Sequence, residues 1–397
     1  MIFYIYIYDY INPKIIMLCR VCNSDLSNIF FQKNMPPQAQ FFPDTKKDSN
    51  LGIDLIVSQC NGCGLIQLEN ENVTYYREVV RASGFSNEMN NFRFDQFEKL
   101  IKFYKLQKKK IIEVGCGKGE YLSIIDTMDV DAYGIEFSLE SVENCKNKGL
   151  KVSNGFIDST NYTISNGPFD VFLLMSFLEH IPQINQFLKG IRHNLNENAL
   201  GLVEVPNFDM IIQEKLFSEF IPDHLFYFTN STLKRTLEFN GFEVIDCKPI
   251  WHDYIISAVV KKRENTNLEI FEYSQNLLVR KIRKYVDNYD PKKVAVWGAG
   301  HQALALISLA DLSNKISYVV DSASFKQNKF TPATNIPVFS PSKLKTEPVD
   351  AVIVIGASYT EEIVEIIKKE FSDISQIAKI IGAELIKVKK NELERVN

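Results

Sequence analysis

Apolar runs and amphipathic stretches alternate in two parts of this chain, and the alternation predicts α/β architecture in both. In residues 79–262 the runs Lys110–Val114, Ala132–Glu136, Asp170–Met175, Gly201–Val205 and Ile255–Lys261 predict strands with helices between them. This is the pattern of a doubly wound parallel sheet, whose ligands bind beyond the carboxyl ends of the strands. A second α/β pattern covers residues 291–397. It starts with KKVAVWGAGHQALALI from Lys292, passes through YVVD at Asp321 and continues as VDAVIVIG at Val349–Gly356. Between the two, residues 263–290 are charged and helical (FEYSQNLLVRKIRKYV) and predict a connecting helix. Residues 17–78 form a separate, loop-rich module.

The 397 residues suit two or three domains, and 45% hydrophobic with 12% aromatic residues can fill real cores. A net charge of −4 and a pI near 5.9 argue against a surface that neutralises phosphates, hence against nucleic acid as a partner. The first residues, MIFYIYIYDYINPKII, are apolar, but they lack a basic start and a small-residue cleavage site. They are also too short to span a membrane. Residues 1–16 therefore read either as preceding the true initiator, Met17, or as an added edge strand. Seven cysteines without a signal peptide imply reduced thiols and a cytoplasmic protein with no membrane partner.

The segment KIIEVGCGKGEYL, Lys110–Leu122, carries glycines at Gly115, Gly117 and Gly119. Glycine there lets a ligand lie against the backbone. Glu113 precedes the first glycine inside the strand, and Glu136 ends the next strand. An acid at Glu113 is wrong for the phosphate-cradling G-x-G-x-x-G pattern. It suits S-adenosylmethionine (SAM), which has no phosphate, carries a sulfonium and an amino group, and has ribose hydroxyls for Glu136 to accept. The strand Asp170–Met175 ends in Ser176, a cofactor-side candidate, followed by Glu179 and His180. A lone histidine in that position is more often packed or capping than catalytic. GLVEVPN ends in a polar turn at Asn207. In FIPDHLFYFT, Pro222 breaks regular structure, so Asp223 and His224 fall on a loop over the site, with Thr229 or Ser231 capping the helix behind. A histidine beside an acid and aromatic residues suits general-base work.

Cys19-x-x-Cys22 and Cys60-x-x-Cys63 are two knuckles, each presenting two thiolates from one tight turn. Four soft ligands with no open position predict a structural Zn²⁺ rather than a catalytic one. The loop containing Met35–Pro43 (MPPQAQFFP) must project between the knuckles. Cys116, Cys145 and Cys247 have no partner at ligand spacing. In the C-terminal part, Gly298-x-Gly300-x-x-Ala303 with Asp321 at the next strand end fits the dinucleotide fingerprint. A hydride-transfer enzyme would need a further catalytic domain, and the chain has none left over. The reading is a degenerate Rossmann-like domain in which Gly300 and His301, at a helix N-terminus, could meet a diphosphate. An NAD-binding oxidoreductase is the alternative.

Taken in order, a CxxC…CxxC module, a SAM-binding domain with a DH loop and a terminal GAG-type domain resemble the sugar C-methyltransferase family. The likeness runs from Leu18 onward and includes MPPQAQFF, VEVPN, DHLFYF and VVDSASFKQNKFTPATNIPV. The resemblance implies a class I SAM-methyltransferase sheet and methylation of a carbon beside the ketone of a nucleotide-linked sugar. It also implies that His224 is the base that removes the α-proton, with Asp223 beside it. The family's active-site tyrosine after the zinc module has two candidates here, Tyr76 for catalysis and Tyr75 for substrate. His180 and Asn207 join Tyr75, Gly300 and His301 as substrate-side residues. The family's tyrosine three residues before the base is Ile221 here, and its glutamate is Asp223. Those departures keep O-methylation of a hydroxyl open.

Overall fold

The computed structural model describes residues 17–40, 42, 52–78 and 86–388. The expectations for residues 1–16 and for the boundary at 79, and part of the 35–43 loop, lie outside them. The N-terminal residues form an antiparallel meander of β1 (Leu26–Met35), β2 (Ile53–Cys60) and β3 (Ile66–Leu68). Next come α1 (Asn87–Tyr104), β4 (Lys110–Val114), α2 (Glu120–Asp126), β5 (Asp131–Glu136), α3 (Leu139–Asn147) and β6 (Val152–Asn154). Then follow β7 (Phe169–Met175), α4 (Ile184–His193), β8 (Leu195–Pro206), α5 (Phe208–Gln213) and β9 (Phe226–Tyr227). The run closes with α6 (Asn230–Phe239), β10 (Phe242–Ile250) and β11 (Ile255–Lys262).

Seven of these strands make one sheet in the order β10-β11-β8-β7-β4-β5-β6. The five from β6 to β8 are parallel, and the central β4 and β7 are buried on both faces, which is why these two read as near-continuous apolar runs. The sequence pattern predicted a parallel sheet throughout, but β11 runs antiparallel to both of its neighbours, β8 and β10. The turn joining β10 to β11 spans Trp251–Tyr254, far too short for the crossover a parallel pair needs. Helices cover the faces through single apolar stripes. On α4 the stripe is Ile184, Phe187, Leu188 and Ile191, spaced i, i+3, i+4, i+7. Strand order reverses between β4 and β7, so the loops after these two strands, the glycine loop and Ser176, flank the crevice where such sheets bind ligands.

The small N-terminal sheet takes its fourth strand from far along the chain. β9 pairs with β3, setting Tyr227 opposite Ile66, and Leu68 N–H bonds to Leu225 O at 3.0 Å. Contacts accordingly place everything up to Glu264 in one unit and everything from Asn265 in a second.

The second unit contains α7 (Glu269–Val286), β12 (Val294–Trp297), α8 (His301–Leu309), β13 (Tyr318–Val320), β14 (Lys329–Phe330) and β15 (Pro337–Phe339). It ends with α9 (Lys343–Thr346), β16 (Ala351–Val354), α10 (Thr360–Glu370), β17 (Gln376–Ile381) and β18 (Glu384–Val388). Its sheet order is β14-β15-β13-β12-β16-β17-β18, with antiparallel strands only at the two edges. The helix in the expected connector packs Leu278, Val279, Ile282, Tyr285 and Val286 into this unit's core.

Candidate active site

A cavity of about 660 Å³ opens at the carboxyl ends of β4, β5, β7 and β8. Gly115 and Gly117 line it from the glycine loop, with φ of +72° and +56°. A Cβ at Gly115 would stand 2.9 Å from the Phe177 ring, so this position tolerates no side chain. Glu136, at the end of β5, accepts from Gly117 N–H and Ser138 N–H, both at 2.9 Å. Two amides thus fix the carboxylate facing the cavity. Among the described residues, Glu78, Glu120, Glu136, Glu140 and Glu179 line the cavity against one lysine, Lys118. That balance suits a cationic ligand and disfavours a phosphate.

Beyond the glycine loop the wall is formed by Ser176, Phe177, Glu179, His180 and His224. His180 and Glu179 lie in a short 3₁₀ turn after β7 and are buried. His180 Nδ1 is 2.7 Å from Asp223 O, a carbonyl, so Nδ1 carries the proton and Nε2 the lone pair. The His180 and His224 rings stand edge to face with centroids 4.7 Å apart. One donor atom each from Glu179, His180 and His224 falls within 4.8 Å of the others. Burial pushes the His180 pKa down to about 4, and burial together with His180 holds His224 well below the ordinary histidine value. Both rings are neutral at physiological pH.

Asp223 does not hold the His224 ring. Its carboxylate accepts from Tyr75 OH at 2.7 Å and from Ala39 N–H at 2.9 Å, while its carbonyl holds His180. Burial and this carboxylate push the Tyr75 phenol up to about 12, which keeps it a donor. Asp223 therefore ties the loop at Ala39–Gln40, the tyrosine after the cysteine module and the histidine pair into one arrangement. Tyr76 points elsewhere: its hydroxyl accepts from Arg77 Nε at 3.0 Å and its ring meets Phe156. Among the described residues the cavity wall leaves out Tyr75, Tyr76, Asp223, Glu113, Gly119 and Asn207. Glu113 is fully buried within β4, Gly119 caps α2, and Asn207 spends its side chain on Asp209 N–H and Asp253 O. The wall also includes Gln40, from the MPPQAQFF segment, and Trp251 and Tyr254, which no sequence pattern marked.

The four N-terminal cysteines converge. Cys19 Sγ lies 3.7 Å from Cys63 Sγ and Cys22 Sγ 3.3 Å from Cys60 Sγ, with all four within 4.8 Å. The two knuckles repeat one turn: Asn23 N–H bonds to Cys19 O and Gly64 N–H to Cys60 O. Gly62 and Cys63 also direct N–H groups at Cys60 Sγ, each at 3.3 Å.

In the second unit, Gly300 and His301 border a separate cavity of about 510 Å³. Gly298 has φ +121°, and a Cβ there would strike Ile355 O at 2.2 Å. Asp321 is already engaged by Ala299 N–H, Ala323 N–H and Lys326 Nζ at 2.7–2.9 Å. A ribose would have to compete with all three.

Comparison with known proteins agrees with this geometry. Residues 89–246 match the family described as "Methyltransferase domain", and residues 269–378 match "C-methyltransferase C-terminal domain". The "C-methyltransferase NovU" of Streptomyces niveus is 23% identical over 66% of this chain and 69% of its own length. The chain belongs to the SAM-dependent C-methyltransferase family. A "Ubiquinone biosynthesis O-methyltransferase" of Rickettsia prowazekii is 22% identical over 31% of this chain and 51% of its own length. A SAM-dependent methyltransferase structure from Clostridium acetobutylicum covers 48% of this chain and 96% of its own, at 13% identity and a TM-score of 0.39.

The site fits SAM. The glutamates that line the cavity match its positive sulfonium and ammonium groups, and the amide-fixed Glu136 carboxylate is one of them. Glu136→Ala is expected to weaken SAM binding by about 2 kcal/mol, roughly thirty-fold in Kd. Titration calorimetry checks this, and an unchanged Kd would place the ribose elsewhere. Among the described residues no helix is long and apolar enough to cross a membrane.

The buried histidine also sets a pH dependence. The folded-state pKa of His180, about 4, lies below its unfolded value of about 6.5. Between those values the unfolded chain binds a proton that the folded chain refuses, so stability falls as pH drops through that window and is complete above it. The loss attributable to His180 reaches about 2 kcal/mol at pH 5. Denaturant unfolding at pH 7.5 and pH 5 should show a steeper decline for the parent than for His180→Gln, and parallel declines would contradict the burial argument.

Proposed function

We propose that this C-methyltransferase acts on a nucleotide-linked sugar, adding a methyl group to the carbon beside a ketone, with His224 as the base. The observation that carries the reading is the neutral His224 ring on the wall of the same cavity as the glycine loop, backed by a second neutral histidine and a carboxylate. SAM, when bound, supplies an electrophilic methyl group on a cationic sulfur. His224 takes the α-proton of the acceptor, and the electrons of that C–H bond pass into the carbonyl as an enolate whose carbon is the nucleophile. The proton stays on the imidazole, where the nearby Glu179 carboxylate offsets the new positive charge. Asp223 acts as a positioning residue through Tyr75 and His180.

The four cysteines are proposed to hold one structural Zn²⁺, since a closed four-thiolate set leaves no position for substrate. For the second unit we propose diphosphate recognition rather than hydride chemistry. Lys326, His301 and the first turn of α8 border its cavity, and Asp321 is spent on internal donors. Among the described residues the three cysteines outside the four-cysteine cluster, Cys116, Cys145 and Cys247, are free thiols, which supports a reducing, cytoplasmic setting.

The deciding experiment separates carbon from oxygen methylation. Incubating a nucleotide-linked ketosugar in D₂O with enzyme and S-adenosylhomocysteine should wash deuterium into the carbon beside the ketone, because proton abstraction precedes methyl transfer. Methyl transfer to a sugar lacking any ketone, with no deuterium uptake by ketosugars, would leave O-methylation standing.

A further inference from the structure

Trp251, His252 and Asp253, in the turn between β10 and β11, all adopt left-handed backbone, with φ of 51°, 55° and 62°. That conformation is uncommon for any non-glycine residue and an outlier for a side chain as bulky as tryptophan. Three in succession persist only where the surroundings over-determine them. Here they do. Asn207 donates its Nδ2–H to Asp253 O at 2.7 Å and its backbone N–H to Tyr254 O at 2.9 Å. Tyr254 N–H bonds back to Trp251 O at 3.0 Å, and its hydroxyl donates to Glu219 Oε2 at 3.1 Å. Phe92 of α1 lies 5.0 Å from the Trp251 ring.

The strained turn delivers two aromatic side chains to the cavity wall. Trp251 and Tyr254 line it together with Met89, Pro206, Ile221 and Ile255. These residues give the cavity an aromatic and apolar share beside its glutamates. A flat, rigid aromatic surface suits the C–H face of a pyranose ring, and strain held at such a place marks pre-organisation for a ligand.

We infer that the Trp251–Tyr254 turn is the platform on which the acceptor's sugar ring lies, and that Asn207 is the positioning residue that holds it. This rests on the sugar-acceptor reading given above. The platform leaves the ring's polar edge and its ketone to face Ser176, His180 and His224 on the neighbouring wall.

The chain has only two tryptophans, and Trp297 belongs to the second unit, so a Trp297→Phe protein reports on Trp251 alone. Titrating that protein, loaded with S-adenosylhomocysteine, with a thymidine-diphosphate-linked keto-deoxyhexose should give a saturable fluorescence change. Trp251→Ala should raise the acceptor KM roughly ten-fold, leave the SAM Kd unchanged, and be largely rescued by Trp251→Phe. Asn207→Ala should raise the same KM with kcat less affected. A Trp251→Ala protein that loses SAM affinity with its acceptor KM unmoved, or that moves neither, overturns the platform. Should that variant fail to fold, the fluorescence titration decides alone, and no saturable change overturns it. If the parent enzyme turns over no nucleotide-linked ketosugar, the acceptor reading and the platform fall together. If it does and the KM stays put in Trp251→Ala, only the platform falls.

Discussion

His224→Ala should lower turnover by about 10²–10⁴-fold, the range general-base catalysis supplies, and leave SAM affinity within about two-fold. The separation follows from the elements involved: Glu136 ends β5 and is held by Gly117 of the glycine loop, and His224 belongs to the loop before β9. The carboxylate expected to hold the ribose is fixed by Gly117 and Ser138 N–H, neither of which the substitution removes. His224→Asn keeps much of the shape without the base and should fall as far, which excludes a packing effect. His180→Asn should cost less, because His180 backs the His224 ring from its own hydrogen bond to Asp223 O. Single-turnover kinetics with saturating SAM would measure the chemical step directly. A His224→Ala enzyme retaining more than about a tenth of parental kcat would remove this residue from proton transfer.

The parallel core was legible because burial on both faces makes β4 and β7 predominantly apolar, and such runs need no alignment to be seen. β10 was not. Its residues are mostly exposed or half-buried and include Asp246, Lys248 and Pro249, so no period emerges from FEVIDCKPI. β9 is two residues long and forms only because β3, far away in sequence, offers it an edge; local pattern cannot encode that pairing. The cysteine cluster was legible for the opposite reason, since each knuckle is a local turn that fixes its own pair of thiols. Asp223 shows how sequence neighbours mislead. Lying next to His224 suggested a carboxylate–imidazole pair, yet in an irregular loop adjacent side chains face apart, and Asp223 turns to Tyr75 and Ala39. The same holds for Tyr75 and Tyr76, of which the one given the catalytic role packs against Arg77 and Phe156. Nothing in WHDY announces left-handed backbone, because strain of that kind is imposed by Asn207 from another strand end.

Freshly purified protein should contain one Zn²⁺ per chain, and stripping it should disable catalysis without abolishing SAM binding. Structural zinc in small modules contributes about 10–16 kcal/mol of apparent binding energy, which is local folding energy. The thiols belong to the turns flanking the N-terminal sheet, and that sheet includes β9, which begins two residues after His224. Arg235 Nη1 also donates to Cys63 O at 2.8 Å, so α6 leans on the same knuckle. Without metal, four thiols crowded within 4.8 Å lose the ion that draws them together, and the β3–β9 pairing loses its support. One face of the seven-stranded sheet carries a core that no residue of the cysteine module enters, and that core, which includes Cys116 and Tyr121, keeps the glycine loop in place. Hydrogen exchange should therefore accelerate at Ile66–Leu68 and Leu225–Tyr227 after chelation while β4 and β7 stay protected. Turnover should fall by more than about ten-fold, and the SAM Kd should hold within about two-fold. Zinc-free protein with full activity, or a chelated protein whose β3 and β9 exchange no faster, would break the link drawn between the cysteine cluster and the His224 loop.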